Sequence, residues 1–83
     1  MVEKVEHDIV NCIFKIYTDG EEAGYLTYDK ESGTIDIHHT VVDPSFRNRG
    51  FGRILVNAAL KYAQGEHMEV IPYCSYARVI INE

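Results

Sequence analysis

Between Pro44 and Gly65 the chain carries Arg47, Arg49, Arg53 and Lys61 and no acid at all. At the centre of that stretch stands Arg47-Asn48-Arg49-Gly50-Phe51-Gly52-Arg53. Placed between a strand and a helix, these residue types suit a phosphate-bearing anion. Backbone amides at a helix N-terminus lack partners and carry the positive end of the dipole. Glycine lets an oxygen approach the backbone, and arginine adds bidentate contacts. Two other glycine motifs are excluded: G-x-x-x-x-G-K-[ST] is absent, and G-x-G-x-x-G fails because Leu55 stands at its sixth position.

A second set of reactive side chains lies further apart. Cys74 falls just past a strand and at the start of a short helix, where the dipole favours thiolate. His39 lies on an earlier strand, and as a histidine it could deprotonate a facing thiol or an incoming amine. A regular strand turns His39 towards Cys74 and His38 away; a β-bulge would exchange the two. Tyr76, and less so Tyr73, is a candidate acid, with packing the simpler role for both. The four histidines and two cysteines show no C-x₂₋₄-C or H-x₃₋₅-H spacing, so no zinc site is expected.

The elements that must position these groups follow from periodicity. Residues 9–17 alternate, with Val10, Cys12, Phe14 and Ile16 on one face, which predicts a strand and a core role for Cys12. Asp19-Gly20 marks a turn, residues 23–28 a second strand, and the segment ending at Gly33 another turn. Residues 34–42 form a third strand with Ile35, Ile37, His39 and Val41 on one side. Together these make an antiparallel meander. Asp43-Pro44 ends it. From Phe51 the apolar positions Ile54, Leu55, Ala58, Ala59 and Tyr62 follow helical spacing as far as Gly65, and Ile54, Leu55, Ala58 and Tyr62 predict the helix's core stripe. Residues 68–71 form a fourth strand closed by Pro72, parallel to the third through a right-handed crossover. Residues 74–82 suit a short helix. The fold class is α+β: a mostly antiparallel sheet of about four strands, a parallel pair bridged by one long helix, and a short C-terminal helix.

Length and charge bound the rest. Eighty-three residues, 46% of them hydrophobic, make one small globular domain, residues 1–83. The net charge of −5 argues against general binding to nucleic acid or anionic membrane. It is uneven: residues 1–43 hold ten acids and three bases, whereas residues 44–83 hold three acids and five bases. Apolar runs of at most three residues exclude a membrane-spanning helix, and the acidic start lacks a secretory h-region. Two cysteines are too few for a disulfide scaffold. A cytoplasmic domain is expected, as a monomer or weak homodimer. The acids of residues 19–31 read as solubilising charges at turns.

Arg47-x-x-Gly50-x-Gly52, preceded by Val42-Asp43-Pro44, resembles the acetyl-CoA motif of the GCN5-related N-acetyltransferases. The likeness extends to a minimal subgroup, through His39-Thr40-x-Val42-x-Pro44 and Pro72-x-Cys74-Ser75-Tyr76, and covers residues 9–80. It implies that the parallel strands splay to admit a pantetheine arm lined by Val41 and Val42. Arg47, Asn48, Arg49, Gly50, Phe51, Gly52 and Arg53 would then receive the pyrophosphate, and Cys74 would lie close to the coenzyme A sulfur. On this likeness the chain is an acetyl-CoA-dependent N-acetyltransferase for an unidentified amine, with Cys74 and His39 as its catalytic residues. Cys74 could carry the acyl group, line the channel, or be a small buried thiol. The N-terminal helices and C-terminal strands that shape an acceptor site in larger members find no room here. That leaves a non-catalytic acyl-CoA sensor as the alternative. An interaction domain without cofactor is the blandest reading, and intact Gly50 and Gly52 weigh against it.

Overall fold

The computed structural model describes residues 3–82. In order these form β1 (Glu3–Asp8), β2 (Ile13–Thr18), β3 (Glu21–Glu31), β4 (Thr34–Val42), a 3₁₀ turn (Pro44–Phe46), α1 (Phe51–Gly65), β5 (Glu69–Pro72) and α2 (Ser75–Ile81). The five strands lie in the order β1-β2-β3-β4-β5, antiparallel except for the parallel β4–β5 pair. The α+β class, the meander, the crossover helix and the C-terminal helix are all present. Met1, Val2 and Glu83 of the expected domain lie outside the described residues.

The start of the sheet differs from expectation. Residues 9–12 are not strand but the turn joining β1 to β2. The Asp8 carboxylate closes this turn by accepting from the Asn11 backbone amide (3.1 Å) and from its side-chain amide (2.9 Å). Cys12 adopts a left-handed φ of 58°, and Val10 is 89% exposed. Val10 and Cys12 therefore extend the alternation of Phe14 and Ile16 without sharing their face. Cys12 packs half-buried against the core's edge rather than within it. The additional strand, β1, turns only Val5 and His7 inward, opposite Ile16 and Phe14. Its exposed charges suit an edge strand, since they discourage pairing with another chain.

Both helices cover one face of the sheet. Phe14, Ile16, Leu26, Ile35 and Ile37 form a single buried cluster with Leu55, Val56 and Ala59 of α1 and Ala77 of α2. Burial of this apolar surface is the main force that closes the fold. The buried face of α1 runs through Phe51, Leu55, Ala59 and Ala63, with Gly52 and Val56 alongside. Ile54, Ala58 and Tyr62, expected in the stripe, flank it half-buried.

Two register shifts shape β3 and β4. One adds a residue to β3 opposite the Ile16–Tyr17 step. The other makes His38 the extra residue of β4, because Thr27 pairs with His39 while Tyr28 pairs with Ile37. Such a bulge reverses which alternate side chains face the core. Ile35 and Ile37 face the helices before it; Thr40 and Val42, opposite buried Leu26 and Gly24, do so after it. His39 and Val41 consequently point to the sheet's other face, contrary to the regular-strand expectation. Among the described residues no helix covers that face.

Candidate functional site

The site lies where β4 outruns β5. Their ladder ends at Ile37–Pro72, after which the amides of Tyr73 and Cys74 both donate to the Ile37 carbonyl (2.9 and 3.1 Å). From His38 to Val42, β4 continues with no strand among the described residues beside it on that edge, which leaves a fork. The fork opens into a cleft of about 480 Å³. Thr40, Val41 and Val42 form one wall, the loop from Phe46 to Gly52 another, and Tyr76 of α2 a third.

Local hydrogen bonds fix the loop. The Asp43 amide donates to the Ala23 carbonyl (2.8 Å), and the Asp43 carboxylate accepts from the Ser45 amide (2.9 Å). The Arg47 guanidinium donates back to the Val42 carbonyl at 3.4 Å. Phe46 packs on Phe51 with centroids 6.2 Å apart, and the Arg49 guanidinium lies 5.5 Å from the Phe46 centroid. Asn48 and Gly50 take left-handed φ values of 66° and 78°, folding the chain into the first turn of α1. That turn contains no acid. Its leading amides have no intrahelical acceptor by geometry, so they present positive potential to the cleft.

The two glycines serve different ends. A Cβ at Gly50 would meet nothing within 4 Å, so its left-handed φ is what requires glycine. A Cβ at Gly52 would stand 2.5 Å from the Tyr76 hydroxyl oxygen and ring edge. Gly52 therefore makes room for a tyrosine as well as sitting at the helix start. Of the nine residues expected around a cofactor, Val41, Val42, Arg47, Asn48, Gly50, Phe51 and Gly52 line the cleft; Arg49 and Arg53 stand outside its lining. Thr40 and Phe46 join the lining unforeseen. A lone aromatic in a polar loop was the available signal for Phe46.

Cys74 caps the N-terminus of α2, and its thiol lies 3.8 Å from the Thr40 hydroxyl. Burial pushes this thiol's pKa up, but the Ala77 amide, the Thr40 hydroxyl and the Tyr76 and Thr40 amides together outweigh it. The net effect holds Cys74 below the ordinary thiol range. His39 is exposed on the opposite face and is not brought to Cys74; Thr40 takes that place. His38 pairs with Asp29 (2.9 Å) and stacks on Tyr73, with centroids 5.4 Å apart. Among the described residues no cluster of histidine, cysteine and acids could hold a metal ion.

A meander leading through a bulged strand to a glycine-initiated crossover helix, with a fork beside it, defines one class of α+β domain. The model for the GCN5-related N-acetyltransferase family matches residues 13–83, and the chain belongs to that family. A similar curated protein is Protein NATD1 of Xenopus tropicalis, 29% identical over 82 residues, covering 96% of this chain and 75% of that protein. A GCN5-like protein from Staphylococcus aureus, solved by NMR, superposes with a TM-score of 0.74 at 22% identity, covering 95% of this chain and 78% of its own. The PaiA N-acetyltransferase of Thermoplasma acidophilum, crystallised with coenzyme A, gives a TM-score of 0.64 at 12% identity, over 68% of this chain and 35% of that one. The last two likenesses concern fold. No helix among the described residues is long and apolar enough to cross a membrane.

Proposed function

We propose that this chain is a coenzyme A-dependent N-acetyltransferase that acetylates an amine reaching the fork from the uncovered sheet face. The observation that carries the reading is the cleft itself, which joins an acid-free helix N-terminus to the open end of β4. A diphosphate fits the first: left-handed Asn48 and Gly50 shape the loop, and α1 supplies amides and dipole. An elongated, amide-bearing arm fits the second, because the unpaired edge of β4 offers backbone donors and acceptors. Acetyl-CoA would supply an activated thioester for amide formation.

The chain's own groups divide by face. Thr40, Cys74 and Tyr76 stand on the helix face, where the Thr40 hydroxyl and the α2 amides favour a thiolate. His39 stands on the other face, so its fitting role is to take a proton from the amine rather than from Cys74. The uncovered face also favours a second reading, an acyl-CoA-binding domain without turnover.

Calorimetric titration with coenzyme A, on wild type and Arg47→Ala, tests the cofactor. Saturable binding that weakens in the variant and at high salt supports the reading; no binding to folded protein overturns it. Release of free thiol from acetyl-CoA in the presence of amines then separates enzyme from sensor. Unchanged turnover in Cys74→Ala would leave Cys74 as channel wall only.

A further inference from the structure

The uncovered sheet face carries a second feature close to the fork. Asp29, Asp36 and Ile71 form one cross-strand row, and Glu31, Thr34 and Glu69 the next. All of them point away from the helices, because Ile35 between Thr34 and Asp36 is buried in the core. Four carboxylates thus share three adjacent strands. Lys30, between Asp29 and Glu31 in sequence, turns to the helix face and donates to the Tyr62 hydroxyl at 3.0 Å. Lys4 and Lys15 are paired with Glu6 and Glu22 at the far side of the sheet. His38 lies against Asp29 at 2.9 Å, and His39 stands on the same face beyond it.

Asp36 is 9% exposed, and its Oδ1 is shielded from solvent with no hydrogen-bond partner among the described residues. A carboxylate oxygen desolvated in this way strongly favours a cationic partner. Spacing decides what kind. Strands lie about 4.8 Å apart, and same-face residues of one strand about 6.7 Å apart. Among the described residues no group of three or more acids, histidines or cysteines is placed to hold a metal ion. The row suits an organic cation with hydrogen-bonding N–H groups. The Asp36–Ile71 pair is one step from the last β4–β5 pair, Ile37–Pro72, where the fork begins. His39, the next same-face ladder position past the bulge, lies about 7 Å further along the strand.

We propose that the carboxylate row of Asp36, Asp29, Glu31 and Glu69 binds an ammonium group of an acyclic diamine or oligoamine, whose other nitrogen reaches the fork. The identity of this ligand as acceptor rests on the acetyl-transfer reading above; the site itself does not require it. A monoamine of the same length would forfeit the charge-assisted contacts that the second nitrogen makes.

The test follows the amide spectrum of the ¹⁵N-labelled full-length chain during titration with 1,4-diaminobutane, and separately with butylamine. Shifts at residues 29–38 and 69–73 that saturate with the diamine about tenfold more tightly than with the monoamine are expected. They should vanish in Asp36→Asn and weaken in Glu31→Gln/Glu69→Gln, whose exposed side chains leave the fold untouched. Equal response to both amines, no shifts in those segments, or shifts that persist in both variants would overturn the site. Coenzyme A is titrated in a separate sample. Its failure to bind would remove the acetyl-transfer reading, whereas the diamine shifts alone decide the carboxylate site.

Discussion

Replacing Gly52 with alanine separates two roles for one residue. The added Cβ would stand 2.5 Å from the Tyr76 ring edge and hydroxyl oxygen and 2.6 Å from its Cζ. Carbon contacts settle near 3.5–4.0 Å, so the ring must retreat by about 1 Å or more. It has room to do so, being 44% exposed on a short helix anchored by Ala77 and Ile80. Overpacking costs about 1–3 kcal/mol, whereas the helix regains up to about 1 kcal/mol when glycine becomes alanine. Net destabilisation of about 0–2 kcal/mol is expected, with folding preserved. Displacing a cleft wall by about 1 Å should cost much more in function, on the order of a hundredfold where positioning matters. A four-way comparison of wild type, Gly52→Ala, Tyr76→Ala and the double variant reads both quantities, by thermal melting and coenzyme A calorimetry. In the Tyr76→Ala background the Gly52→Ala change should turn neutral or stabilising and lose its further effect on binding. An equal loss in both backgrounds would refute the steric argument and return Gly52 to a role in the anion cradle alone.

Gly24→Ala should damage stability more, since its Cβ would lie 2.5 Å from the Val41 carbonyl oxygen, a backbone atom that cannot swing aside. A loss of about 2–3 kcal/mol in urea unfolding is expected, with amide shifts centred on Val41 and Val42. Cys74 should react with iodoacetamide at lower pH than free cysteine, and Thr40→Val should move its profile back upward because a hydroxyl donor is lost. Its depressed native pKa adds stability that is complete above the unfolded thiol's pKa and disappears as pH falls through the native value. His7 shows the same sign in a lower window: burial depresses its pKa, and its Nε2 meets the Tyr28 hydroxyl at 2.6 Å. Stability should therefore fall on acidification below about pH 6.5, and His7→Phe should flatten that part of the urea-midpoint profile.

Most of the architecture was legible because its signals are local. Gly50, Pro44, Gly65 and the 3.6-residue stripe from Phe51 mark α1 without reference to the rest of the chain. Cys74 at a helix start and the Arg47–Gly52 loop were visible for the same reason. What escaped depends on partners distant in sequence. The β1 strand reads as a charged segment because only Val5 and His7 meet the core, and that shows only once β2 is beside it. Val10 and Cys12 prolong an alternation that the Asp8–Asn11 turn has already broken. Thr40 becomes the neighbour of Cys74 through a parallel pairing and a bulge, and no spacing rule relates the two positions. The buried carboxylate of Asp36 was equally invisible, since acids in a strand pattern ordinarily mean solvent.

The extra residue at His38 makes β4 a strand of two parities, odd positions inward before it and even positions inward after it. Substitution at Thr40 or Val42 can change the chemistry of the cleft wall only one side chain at a time. Loss of the single residue His38 would turn the bulge into an ordinary ladder step, with Ile37 and His39 consecutive opposite Tyr28 and Thr27, and would leave Thr40 and Val42 under the helices. The hydroxyl beside Cys74 and the imidazole on the open face would keep their sides in that event. A shortening of the chain at this one point is thus absorbed by the bulge, whereas loss of Thr40 from the regular run beyond it would swing Val41 under the helices and Val42 to the open side.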